Sequence, residues 1–93
     1  MNDHTNRILE RAKSFIMDFR HGKINLRNLV EILEGSINGI EERLPESFLA
    51  IWDDHWGNLE VHLALDNEQT ERTAILDDLK CLEKAIVELL YVR

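Results

Sequence analysis

Apolar side chains recur at steps of three and four residues along most of this 93-residue chain. A segment with that spacing has one apolar face when it is wound as an α-helix. Four such segments predict helices, at about residues 5–21, 26–44, 45–65 and from 70 onward. No stretch alternates apolar and polar residues for long enough to predict a strand. The expected fold is therefore all-α, a compact bundle of about four antiparallel helices in a single domain, residues 1–93.

Glycine, asparagine and proline mark the expected ends of these helices. Gly22 is placed to end the first helix with a positive φ, and Asn25 is a good N-cap for the second. Pro45 ends the second helix and begins the third. The segment GSING, residues 35–39, interrupts the second helix and predicts a kink or the close approach of another helix, because glycine is unfavourable in a helix interior.

The stretch FLAIWDDHWGNLEVHLAL, residues 48–65, contains most of the residues that suggest chemistry. At about 100° per residue its large apolar side chains form one stripe, which predicts that the two tryptophans belong to the core. The stripe consists of Leu49, Trp52, Trp56, Leu59 and Leu63. Each indole is expected to keep an edge near the surface, where its N–H finds a partner.

The polar residues of this stretch do not match a catalytic or metal-binding pattern. His55 and His62 are seven residues apart, about 10 Å along a helix, which is too far for both to bind one ion. Asp66 could form one flank of a site with His62, but no second pair of this kind occurs. Asp53 and Asp54 point in directions about 100° apart, whereas a general acid–base pair must face one point. We therefore expect a protein without enzymatic activity, metal or cofactor.

Compartment is predicted from the cysteine content and from hydropathy. Cys81 has no second cysteine to pair with, and its apolar neighbours predict a small core residue. An unpaired cysteine suits a reducing cytoplasm. The first residues lack the apolar run of a secretion signal, and no segment approaches the ~18 continuous apolar residues of a membrane helix. A cytoplasmic protein without membrane contact is expected.

Charge is distributed unevenly along the chain. Residues 1–30 contain six Lys or Arg and three Asp or Glu, a net charge of +3, whereas residues 31–93 contain five and fifteen, a net charge of −10. Such an acidic surface disfavours nucleic acid and favours a basic protein partner. Carboxylates are densest from residue 31 to residue 54, at Glu31, Glu34, Glu41, Glu42, Glu46, Asp53 and Asp54. We define the acidic surface as the predicted partner-binding set Glu41, Glu42, Glu46, Asp53 and Asp54.

Three segments resemble a known family. They are INLRNLVEILEGSINGIEERLP at residues 24–45, W-x-x-x-W leading to NLE at residues 52–60, and LxxLxxAIxELL at residues 79–90. The chain resembles the small acidic helical immunity proteins of contact-dependent growth inhibition and other polymorphic toxin systems. The resemblance implies a cognate bacterial toxin as the partner, usually a nuclease, which is bound tightly and blocked. The alternative is a regulatory or adaptor helix bundle that has no toxin partner and could form a homodimer through the GSING face.

Overall fold

The computed structural model describes residues 2–91, which form four helices and no strand. These are α1 (Asp3–Arg20), α2 (Leu26–Asn38), α3 (Glu46–Leu65) and α4 (Arg72–Tyr91). Each helix packs against the next one along the chain, and α4 packs against α1, so that the four surround one core. The predicted all-α four-helix bundle is confirmed, with principal extents of 38 × 24 × 21 Å.

Side-chain contacts between α1 and α4 show that these two helices run in opposite directions. Arg20, at the end of α1, donates to Glu83 in the middle of α4, at 2.9 Å. Tyr91, at the end of α4, donates instead to Glu10 in the first half of α1. The end of α2, the start of α3 and both described chain ends therefore lie at the same end of the bundle.

The local signals at the first loop act as predicted. Gly22 has φ 73°, in the left-handed region that glycine adopts without strain. The side chain of Asn25 accepts a hydrogen bond of 2.8 Å from the backbone N–H of Asn28, so it caps α2. At the start of the chain, Asn2 caps α1 in the same way by accepting from the N–H of Thr5.

The second helix is shorter than predicted, because it ends at Asn38 rather than near residue 44. Gly39 is its C-cap, and residues 39–45 form a loop. Leu44 is still buried and Ile40 half-buried against the core, so the loop places the apolar side chains of the expected helix without helical backbone. Gly35 lies inside α2 with open space where a Cβ would stand, so the predicted close approach of another helix does not occur there.

The predicted stripe of α3 faces the core, with one addition. Trp52 and Leu59 are buried, and Leu49, Trp56 and Leu63 pack half-buried against them. Phe48, which the stripe left out, is also buried and stacks on Trp52 with ring centroids 5.7 Å apart. Both tryptophans are thus structural side chains.

The indoles differ in exposure. Trp56 is half-buried, and its Nε1–H donates to the backbone carbonyl of Val30 at 3.3 Å, as predicted. The prediction of a surface edge is wrong for Trp52, which is only 2% exposed because Phe48 and the core cover it.

The prediction that Cys81 belongs to the core is wrong, because the residue is exposed. The buried residues of α4 include Ile75, Leu79, Leu82 and Ile86. At about 100° per residue, Cys81 is turned about 200° away from Leu79 and lies on the opposite side of the helix. The prediction failed because it relied on the apolar neighbours of Cys81 in the sequence and not on its angular position.

Candidate protein-binding surface

Helix α3 is the main element of the candidate surface, and it has no Lys or Arg in its 20 residues. Its four carboxylates are Glu46, Asp53, Asp54 and Glu60, all exposed. The scarcity of Lys and Arg extends beyond the helix. Residues 28–71 contain eleven Asp or Glu and a single Lys or Arg, Arg43. Within this stretch of the sequence, the carboxylates are therefore almost unbalanced by Lys or Arg.

Four of the five residues of the predicted acidic surface are exposed. Glu41 lies in the loop before α3, Glu46 in the first turn of the helix, and Asp53 and Asp54 two turns further on. Glu46 and Asp53 project within about 20° of each other, and Asp54 is turned about 80° away from Glu46. Within residues 2–91, the only ion pair among them is the contact of Glu46 with Arg43 at 3.9 Å, in which both side chains are about nine-tenths exposed.

Glu42, the fifth residue, is half-buried and bound to its own chain. Its Oε1 accepts a hydrogen bond of 3.0 Å from the backbone N–H of Asn2, at the start of α1. The buried Thr5 hydroxyl completes no hydrogen bond of regular geometry within the described chain, yet it lies close enough to favour the charged carboxylate. Thr5 first, and the Asn2 N–H second, hold the pKa of Glu42 below its ordinary value. Glu42 thus stabilises the joint between the 39–45 loop and α1.

A groove between α2 and α3 adds one carboxylate that the predicted set left out. Glu34 of α2 and Asp53 of α3 line the same shallow groove of about 200 Å³. Trp52, Trp56 and Ile37 form part of its walls. The density of carboxylates from residue 31 onward indicated this region in the sequence. That Glu34 lies on the side of α2 that faces α3 is known only from the structure.

The histidines of α3 make contacts within the bundle. His55 Nδ1 lies 2.8 Å from Asp78 Oδ1 of α4, and Asn58 donates to the same oxygen at 3.1 Å. His62 Nδ1 lies 3.1 Å from the side-chain oxygen of Asn67. The His55–Asp78 contact joins residues 23 apart in the sequence, so spacing along one helix did not indicate it.

The described part of the chain shows no convergence of three His, Cys, Asp or Glu side chains that could hold a metal ion. None of the helices between residues 2 and 91 has the length and apolar content that a bilayer crossing requires. Whether the chain lacks enzymatic activity stays a prediction.

The GSING segment borders a second open groove, between α1 and α2. Gly35 and Ser36 line it together with Ile8, Arg11 and Phe15, and its volume is about 330 Å³. Its lining includes the side chain of Arg11 and no carboxylate. It lies on the side of α2 that faces α1, whereas the groove with Asp53 lies on the side that faces α3. A homodimer through this face belongs to the alternative function and stays untested.

No protein-family model, curated protein or solved structure matches the chain. The function is therefore inferred from the charges and contacts of its own residues.

Proposed function

We propose that the chain is an immunity protein that binds and neutralises a cognate bacterial toxin domain through its acidic surface. The observation that supports this proposal is the exposure of Glu41, Glu46, Asp53 and Asp54 beside a 20-residue helix without a single Lys or Arg. A nuclease-type toxin fits as the partner, since a protein that binds phosphates presents clustered basic side chains.

Electrostatic steering gives such a surface a specific use. Carboxylates of one sign accelerate encounter with a basic partner and disfavour acidic ones, which suits an inhibitor that must reach its toxin before the toxin acts. A protein that inhibits by covering another protein needs no reactive group of its own. The helix bundle then provides the rigid surface on which the carboxylates are held.

The experiment requires a toxin domain encoded beside the gene and pairs the chain with that domain. The test variant is Asp53→Lys with Glu46→Lys, two exposed positions at which charge reversal should leave the melting temperature nearly unchanged. Glu42 is kept, because its contact with Asn2 would confuse binding with folding. The control variant is Arg7→Glu with Arg11→Glu, which reverses exposed charges on α1.

We expect the test variant to weaken binding of the toxin by more than about tenfold, mainly through slower association, and to reduce its dependence on salt. Cells that express the toxin should lose protection although the variant accumulates normally. The control should bind and protect as the unmodified chain does. A chain that neither binds the neighbouring toxin nor protects against it would refute the immunity proposal.

A further inference from the structure

The outward side of α3 has two large exposed apolar side chains, although its inward side already lies in the core. Val61 is 55% exposed and Leu65 is 65% exposed on this side, whereas Ile51, 40% exposed, is turned toward α4 and lines a groove with Ala85 and Leu89. Exposed large apolar side chains of the described chain comprise these three, Met17 and Tyr91, so most of them lie on one helix. Single exposed apolar residues need no explanation, but a group on one face indicates a contact surface.

Helical geometry places Val61 and Leu65 in one band with two small residues of α3. We define the outer band as Ala50, Gly57, Val61 and Leu65. At about 100° per residue, all four project within about 80° of one another, and Val61 points directly away from the buried Trp52. From residue 50 to residue 65 the band is about 22 Å long. It is thus long enough to contact another helix over four turns.

A row of carboxylates borders this band on the side toward α2. We define the acidic row as Glu46, Asp53 and Glu60, which follow one another at seven-residue intervals, about 10 Å apart. Their directions differ by no more than about 40°. Asp53 also lines the groove between α2 and α3, which fixes the side on which the row lies. Asp54 adds a fourth carboxylate inside the outer band.

Gly57 has no side chain, so the surface of α3 is recessed at the middle of the band. A Cβ at this position would meet nothing within 4 Å, so no contact inside the bundle requires glycine. Glycine is among the least favourable residues in a helix interior. Its presence here, between the exposed Ala50 and Val61, lets the backbone of another element approach α3 closely.

We propose that the outer band is the docking face for a helix of the basic partner. This helix would present apolar side chains at three- and four-residue steps, with Lys or Arg along one flank facing the acidic row. The proposal rests on the proposed function for the basic character of the partner. Seven-residue spacing of the carboxylates favours a helix that crosses α3 at a shallow angle, because only then do contacts repeat at that interval.

A second copy of this chain is a poorer occupant. In a symmetric antiparallel pair of α3 helices, the acidic row of one copy would face the same row of the other. With the two-fold axis at the middle of the band, Asp54 of one copy would lie opposite the apolar Val61 of the other, and each copy has a net charge of −7. Like charges placed opposite each other oppose association.

The test titrates the full chain, labelled with ¹⁵N, with a synthetic helical peptide of about three heptads. Leu and Ala form one face of the peptide, and Lys occupies every seventh position on one flank. A matched peptide has Glu in place of Lys. We expect the Lys peptide to shift the amide resonances of the outer band and the Glu peptide to have no effect.

Val61→Asp should weaken binding of the Lys peptide at least about tenfold, because it adds charge to an apolar contact. Met17→Asp is the control, since Met17 is 42% exposed on α1, and it should bind as the unmodified chain does. Gly57→Phe should also weaken binding, because the phenylalanine ring would fill the recess at the middle of the band. Circular dichroism of this variant should show an intact fold. Unchanged binding by Val61→Asp, equal binding of the two peptides, or self-association through α3 would overturn the proposal.

Failure of docking is distinguishable from failure of the proposed function. If the chain protects against the toxin and Val61→Asp both protects and binds the toxin equally well, the docking face is overturned and the immunity function stands. If the Lys peptide binds the outer band but the unmodified chain gives no protection, the docking face stands and the immunity function is overturned.

Discussion

The backbone N–H of Leu26 donates a hydrogen bond of 3.0 Å to the carboxylate of Glu68, although 42 residues separate them in the sequence. Leu26 is the first residue of α2, and Glu68 lies in the loop between α3 and α4. A carboxylate at a helix N-terminus satisfies a free N–H and interacts favourably with the helix dipole. One side chain thus connects the two loops at the end of the bundle opposite the 39–45 loop.

Replacement of Glu68 should reveal the strength of this connection. We expect Glu68→Ala to lower the free energy of unfolding by about 1 kcal/mol, as the loss of a helix cap does. Glu71→Ala, at an exposed position of the same loop, should have a much smaller effect. Urea denaturation of both variants provides the measurement, and equal effects would show that the contact between Glu68 and Leu26 adds little stability.

Arg20 and Glu83 form the second long-range contact with a measurable consequence. Arg20 Nη1 lies 2.9 Å from both carboxylate oxygens of Glu83, and the two side chains are 25% and 23% exposed. A double-mutant cycle with alanine at both positions should give a coupling of about 1 kcal/mol, the upper part of the range for partly exposed pairs.

The pair Arg43–Glu46 offers a matched contrast. Its atoms are 3.9 Å apart, and its side chains are 90% and 91% exposed. Water screens such a pair, so the same cycle should give no measurable coupling. Comparable couplings for the two pairs would mean that burial and geometry do not govern their strength here.

Leu59 provides the test of the α3 core stripe. The side chain is fully buried, so Leu59→Ala should lower the free energy of unfolding by about 2–5 kcal/mol through lost burial and a residual cavity. Its neighbour Glu60 is exposed, and Glu60→Ala should change stability by less than about 1 kcal/mol. Thermal and urea denaturation of the two variants should differ clearly, and equally mild effects would contradict the assignment of the stripe.

Periodicity along the sequence predicted the stripe because burial on a helix depends on angular position, which follows from residue spacing alone. The same rule identified Trp52 and Leu59 as core residues and placed Asp53 and Asp54 outside. The N-cap of α2 and the turn at Gly22 were predictable for a related reason, since their partners lie within three residues.

Contacts between distant segments could not be predicted in this way. The end of α2 at Asn38 depends on Gly39 and on a loop whose apolar residues still reach the core, so the apolar pattern continued past the helix. The partners of Glu42 and His55 lie on other elements. Cys81 shows the opposite error, since apolar neighbours indicated burial where its angular position gives exposure.

Glu42 should make the stability of the bundle depend on acid pH. Its pKa in the folded chain is lowered from the ordinary 4.5 by the Thr5 hydroxyl and then by the Asn2 N–H, so folding favours the ionised carboxylate. A lowered folded pKa gives stabilisation that is fully present above about pH 4.5 and is lost as the pH falls through the folded pKa. The contact should therefore matter at neutral pH and disappear in strong acid.

Thermal unfolding of Glu42→Gln across this range measures the effect. Glutamine keeps an oxygen that can accept from the Asn2 N–H but removes the charge, so the variant should melt below the unmodified chain at pH 7. The two melting temperatures should converge as the pH falls below about 4.5. Glu41→Gln is the control, because that carboxylate is exposed and makes no hydrogen bond within residues 2–91, and its effect at pH 7 should be smaller. A difference for Glu42→Gln that stays constant down to strong acid would show that its charge does not stabilise the joint with α1.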